Sequence, residues 1–318
     1  MDMSSTDPLL EMTHSFDAMQ QVGALAGDAA VTLPGLAGNS CLIRDMPAHE
    51  YHGDRDALSC SMLKPLLVSP AHFQAALLAP GMSSRPMDFG TLVHLLVLQP
   101  GEIANEVSVF PGVANRRKDE FKQFEASFPD RLVVDEPTFA TARRSASKIM
   151  ETRFKGRPIQ LFVEESILEA TIYFTEPTTG LRVRVRLDMF HPDFSFDLKS
   201  TRFGCPRAFA RDANDKGYDL QAFMYSLARC LYEGTDAPKP FPFIAAESDE
   251  PHSVSVLTAS QEFLDNGAAK FKSCVAAYVA CTQTGHWPDL GTEGELTIEP
   301  WAQYRPQDNW QGRLSLRQ

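Results

Sequence analysis

The sequence predicts an α/β fold, a central mixed sheet with helices on both faces, and three observations carry that prediction. In residues 181–201, LRVRVRLDMFHPDFSFDLKST, two runs alternate at period 2, as strands do. Residues 86–99 place Phe89, Leu92, Val93, Leu96 and Val97 at helical spacing, which reads as a buried helix. Residues 218–232, YDLQAFMYSLARCLY, build a second apolar stripe from Leu220, Phe223, Met224, Leu227 and Leu231.

At 318 residues, 43% hydrophobic and 22% charged, the chain can bury a full core in one large domain with or without extensions. It has no apolar run of about 18 residues and no basic segment leading into an apolar one at its start, so neither a membrane span nor a signal peptide is expected, and a cytoplasmic location follows. The six cysteines form no C-x-x-C and fit no zinc spacing; reduced, mostly buried thiols are expected. The net charge of −11 argues mildly against a nucleic-acid binder, although an enzyme that confines such a substrate to an inner channel can be acidic outside. Part of the charge is local: residues 1–40 hold Asp2, Asp7, Glu11, Asp17 and Asp28 with no Lys or Arg.

Taken in order, residues 1–40 read as a flexible tail and 41–318 as the folded domain. Ser59 and Ser69 are candidate helix N-caps, the latter with Pro70 at the first helical position. Residues 104–160 read as charged and irregular, with a helical pattern near 137–151 and a basic cluster, Arg116-Arg117-Lys118, that suits either phosphate or solvent. Residues 161–175 read as a strand or a strand with a bend, on which Glu165 and Glu169 share parity. In 181–201 the turn formers Pro192 and Asp193 centre a hairpin. Its register pairs Leu187 with Leu198, Met189 with Phe196 and Asp188 with Asp197, all apolar side chains to one side; a slip of one residue would send Asp197 into the apolar layer. Further on, 241–258 suggest two strands, with Glu247 a candidate for the edge of the site, 259–283 a long helix, and Trp287-Pro288 and Pro300-Trp301 a loop-rich end.

Two carboxylates facing one space raise each other's pKa unless a cation lies between them, and hard oxygen ligands suit Mg²⁺ or Mn²⁺. Lys199, pointing the same way as Asp197, suits an anionic substrate or an attacking water. The alternative is a solvated polar face. On the helix, Tyr218, Gln221 and Tyr225 fall at i, i+3 and i+7, and suit a site wall with phosphate contacts or an ordinary amphipathic face.

An Asp at a strand end followed by Asp-x-Lys on the next strand resembles the PD-(D/E)XK nuclease superfamily; here the elements are Arg186-Leu187-Asp188 and Asp197-Leu198-Lys199, with Leu187 where the usual Pro stands. Within it the chain is similar, over roughly 42–305, to the exodeoxyribonuclease VIII (RecE-type) family of recombination exonucleases. The phrases S-x-S-x-L-K (59–64), Phe89-Gly90-Thr91-Leu92-Val93-His94 and Gln221-x-x-x-Tyr225 carry that similarity. The resemblance implies a PD-(D/E)XK nuclease-like sheet and a metal site of Asp188, Asp197, the Leu198 carbonyl, His94 and a strand carboxylate, best matched by Glu169, then Glu165, then Glu164. It implies Lys199 at the chemistry, and Gln221, Tyr218, Tyr225, Arg186 and Arg184 as DNA contacts. It further implies Mg²⁺-dependent 5′→3′ digestion of double-stranded DNA ends, 3′ overhangs for a RecT-like single-strand annealing protein, a homo-oligomeric ring and no membrane. A catalytically silent DNA-end adaptor on the same fold is an alternative. A RecB-like nuclease with an iron–sulfur cluster is another, for which the cysteine pattern is missing.

Overall fold

In the computed structural model, which describes residues 40–78, 85–202, 204–291, 293, 295 and 297–298, the sheet is assembled from strands in chain order. The predicted tail, save Ser40, and Pro300-Trp301 lie outside these residues. The chain runs through β1 (Ser40–Ile43), α1 (Ala48–Gly53), α2 (Cys60–Leu63), α3 (Pro70–Leu78) and α4 (Arg85–Leu98). It continues through α5 (Glu136–Glu151), α6 (Ile159–Glu164), β2 (Ile167–Thr175), β3 (Arg182–Phe190) and β4 (Ser195–Thr201). Last come α7 (Pro206–Asp215), α8 (Tyr218–Glu233), β5 (Pro242–Glu247), β6 (Val254–Thr258) and α9 (Gln261–Thr284). Neighbouring strands are antiparallel except β4 and β5, which are parallel. Parallel neighbours need a long crossover, and α7 and α8 supply it. Among the described residues no helix is long and apolar enough to cross a membrane.

The predicted caps are in place. Ser59 Oγ accepts from the Met62 N–H at 3.4 Å, and Ser69 Oγ from the His72 N–H at 3.2 Å. Each face of the sheet carries its own core. On one, Val185, Ile172 and Phe243 pack with Leu220 and Met224 of α8 and Phe271 of α9. On the other, Phe196, Leu198 and Ile244 pack with Leu92 of α4, Ala146 of α5 and Phe162 of α6.

Two-sided burial corrects the single apolar side expected of the hairpin. Met189 pairs with Phe196 in the predicted register, and Phe190 with Ser195, but the ladder stops there. Val183, Val185 and Leu187 belong to the α8 core while Met189, of the same parity, belongs to the α4 core. The exchange falls beside Glu169 of β2, whose φ of 50° breaks the pleat at the position between the Leu168–Met189 and Ala170–Leu187 pairs. Burial on both faces also removes the polar/apolar contrast on which a half-buried reading depends.

Two further expectations change. Residues 161–164, read as the start of a strand, belong to the helix Ile159–Glu164, in which Ile159, Phe162 and Val163 are buried at i, i+3 and i+4. The stretch read as irregular holds a parallel pair, Val107–Phe110 with Leu132–Asp135, and a helix, Asp119–Ala126. At the hairpin turn, the fully buried Arg229 of α8 donates to the carbonyls of Phe194 (2.6 Å) and Pro192 (3.1 Å) and to Ser195 Oγ (3.1 Å). The turn is thereby tied to α8. Where α8 crosses α9, Gly267 lies against the Asp219 backbone, and the buried Asp219 carboxylate accepts from Lys270 Nζ (2.7 Å) and Asn266 Nδ2 (2.5 Å).

Candidate active site

Beyond Met189–Phe196 the strands β3 and β4 separate, and the polar side chains of their inner ends fill the opening. Asp188 Oδ2 accepts from the Leu198 N–H at 2.7 Å, so a side chain takes the place of a ladder carbonyl. On the other side of the same peptide residue, His94 Nε2 from α4 lies 2.7 Å from the Leu198 carbonyl oxygen and 3.8 Å from Asp188 Oδ2. Glu169 stands opposite Asp188, its Oε2 2.6 Å from Arg186 Nε. One ligand atom each from His94, Glu169 and Asp188 lies within 4.8 Å of the others.

Asp197 stands beside this group, not in it. Its Oδ1 accepts from Gln221 Nε2 at 2.5 Å and its Oδ2 lies 2.6 Å from Lys199 Nζ. Lys199 in turn lies 4.9 Å from the centroid of the Tyr218 ring. A cavity of about 280 Å³ joins the two halves, with Tyr225, Tyr51, His52 and Lys64 among its lining.

Burial dominates the electrostatics. It pushes the Glu169 carboxyl up to about 7, helped by the Asp188 carboxylate and opposed by the Arg186 guanidinium. It pushes Asp197 up to about 6 against the pull of Lys199. For Lys199 burial disfavours the ammonium, but Asp197 and Asp188 outweigh it and raise the pKa. Lys199 is therefore a firmly charged cation.

The remaining predicted residues divide. Gln221, Tyr218 and Tyr225 share one face of α8 and turn it toward the site, with Gln221 holding Asp197. Arg186 lines the cavity but is engaged by Glu169. Arg184, expected at DNA, is 2% exposed: its guanidinium donates to the Ala57 carbonyl and lies over the Tyr51 ring, because the segment before α2 covers it. Glu165 ends α6 and pairs with Arg157 (2.5 Å) and His191 (3.1 Å), and Glu164 accepts from Gln160, so of the three acids only Glu169 reaches the site. Glu247 accepts from the N–H groups of Gly204 (2.8 Å) and Ser253 (3.2 Å), away from the cavity lining. Arg116 pairs with Asp88 at 3.1 Å. Of the thiols, Cys60, Cys274 and Cys281 are buried, while Cys41 and Cys205 are exposed, short of the mostly buried set expected. Sequence reasoning missed Tyr51, His52 and Lys64 as cavity residues; the S-x-S-x-L-K phrase that ends on Lys64 was the available signal.

The donor set fits a hard divalent cation: two carboxylates, a backbone carbonyl and one imidazole suit Mg²⁺ or Mn²⁺ better than a thiophilic metal. A family model described as a "PDDEXK-like domain of unknown function (DUF3799)" matches residues 59–300. No curated protein matches the chain. Among solved structures, a protein from Eubacterium rectale described as a "Putative exonuclease" has the same fold with a TM-score of 0.52, at 13% identity, covering 83% of this chain and 97% of its own.

Proposed function

The chain belongs to the PDDEXK-like family DUF3799, within the PD-(D/E)XK nuclease superfamily, and we propose on that footing that it is a divalent-metal-dependent exonuclease acting on the ends of double-stranded DNA. One observation carries the reading: the opened β3–β4 strands bring His94, Glu169 and Asp188 within ligand distance of each other, next to the charged Lys199.

His94, Glu169, Asp188 and the Leu198 carbonyl would hold the ion. When bound, a Mg²⁺ or Mn²⁺ ion lowers the pKa of water and offsets charge building on the phosphate. The protein's own groups do the rest. Asp197 fixes the Lys199 ammonium, and Gln221 fixes Asp197, so the charge is held in place before substrate arrives. Lys199 then faces a non-bridging phosphate oxygen or orients the attacking water. Tyr218 and Tyr225 wall the strand in. The similarity to RecE-type enzymes supports 5′→3′ polarity, a 3′ overhang passed to an annealing protein, and a ring in which an acidic exterior is compatible with an enclosed substrate.

The test is digestion of a linear duplex labelled at either end, beside a closed circle. Mg²⁺-dependent release from the linear form alone is expected, with the 5′ label freed first. Cutting of the circle would replace the exonuclease by an endonuclease, and an inert linear duplex in Mg²⁺ and Mn²⁺ would remove the reading.

Glu169 makes a second expectation. Its folded pKa, about 7, lies above the ordinary 4.5, so the folded chain binds the extra proton. That stabilisation is complete below about 4.5 and is lost as the pH rises through about 7. Metal-free protein should therefore lose thermal stability from this group across that window, and Mg²⁺ should raise the midpoint more at pH 8 than at pH 5.5. Glu169→Gln should flatten both trends. Identical pH profiles for the variant and the wild type would count against Glu169 as a ligand.

A further inference from the structure

We infer that Lys64 binds a second phosphate of the substrate strand, next to the one attacked; this rests on the nuclease reading above. Three lysine and arginine cations line the cavity: Arg186, Lys199 and Lys64. Glu169 has Arg186 and Asp197 has Lys199, while Asp188 accepts from the Leu198 N–H and faces the place the metal would take. Lys64 also lines the cavity, and among the described residues no carboxylate lies within 4.0 Å of it. Of the three lysine and arginine side chains on the wall, it is the one that no carboxylate among the described residues holds. A lysine so placed, partly withdrawn from water, suits an anion.

Its placement is built. Ser59 caps α2, Cys60 and Leu63 anchor that helix in the core, and Lys64 opens the turn Lys64–Leu67 with Pro65 next to it, so Lys64 leaves a rigid corner. Its stem runs past Gly217, where an added Cβ would touch Lys64 Cε at 3.7 Å. Its ammonium lies 5.3 Å from the Tyr218 ring centroid, and Lys199 lies 4.9 Å from the same centroid. Burial acts most on its ammonium and lowers its pKa, and Cys60, Lys199, Asp197 and Asp219 act on it in turn. A strand whose attacked phosphate meets Lys199 would reach Lys64 with a neighbouring one.

Lys64→Met keeps the stem and removes the charge. Duplex binding is read by anisotropy in Ca²⁺, which supports binding but little hydrolysis, over a salt series, and turnover is read in Mg²⁺. The variant should bind about tenfold more weakly, its slope of log affinity against log salt should be shallower by about 1, and kcat should stay within about threefold. Lys64→Arg should recover the slope. Where methionine lowers the thermal midpoint, Lys64→Gln replaces it. An unchanged affinity and slope in a folded variant would overturn the inference, as would a collapse of kcat at unchanged slope. If the wild type binds DNA without cutting it, the hydrolytic reading fails while the slope still decides Lys64; if it binds no DNA, both fail.

Discussion

Lys199→Met is expected to lower single-turnover cleavage by roughly 10²–10⁴-fold, the range for loss of one positioned group at the reacting centre. Arginine should rescue poorly, because a wide planar cation cannot occupy the place of the ammonium. The structure adds a second effect. Asp197 is fully buried, and Lys199 is its cationic partner. Removing Lys199 strands a buried carboxylate, at a cost of about 3–5 kcal/mol unless it takes up a proton. Because its pKa then rises further, the lost stability should return as the pH falls. Lys199→Met with Asp197→Asn removes both charges and leaves an acceptor for Gln221, so it should regain stability without regaining rate. A double variant that cleaves at near wild-type rate would show that the pair serves only the fold.

Gly267→Ala should cost about 3 kcal/mol, the upper end for an overpacked core, although alanine is the better helix former by about 1 kcal/mol. An added Cβ would lie 2.0 Å from the Asp219 carbonyl oxygen and 2.9 Å from Phe223 Cβ, and backbone cannot step aside as a side chain can. The two helices would have to part, exposing the Asp219 carboxylate that Lys270 and Asn266 satisfy. Since α8 carries Gln221 and Tyr218, cleavage should fall with stability. Denaturant melts read the first effect, and an unchanged midpoint would refute the clash.

What the sequence made legible was local. Alternation placed Asp197 and Lys199 on one side of β4 and Phe196 and Leu198 on the other, and the structure agrees. The register at Met189 was legible because an offset of one residue would turn Asp197 into the apolar layer. The crossing of Val185 and Met189 into different cores was not, since period 2 says nothing about a break such as that at Glu169. Helix α6 spans six residues, too few for a 3.6 period to stand out against Ile, Phe and Val, which favour strands. Arg184 and Arg186 looked alike in the pattern, and only the segment that packs over Arg184 separates them. Lys64 reaches the site across more than 130 residues of chain from Lys199, and no spacing rule describes that.

Leu198 is tied by its N–H to Asp188 and by its carbonyl to His94. The middle position of the Asp-x-Lys tripeptide thus contributes an amide, which nearly all amino acids share, while its side chain answers only to the α4 core. Selection on the chemistry leaves almost no trace in the letter written there. Proline alone is barred, for want of the hydrogen that Asp188 receives. A scan of all residues at 198 should therefore rank variants by how well they fill an apolar space, with proline the single residue ruled out on other grounds.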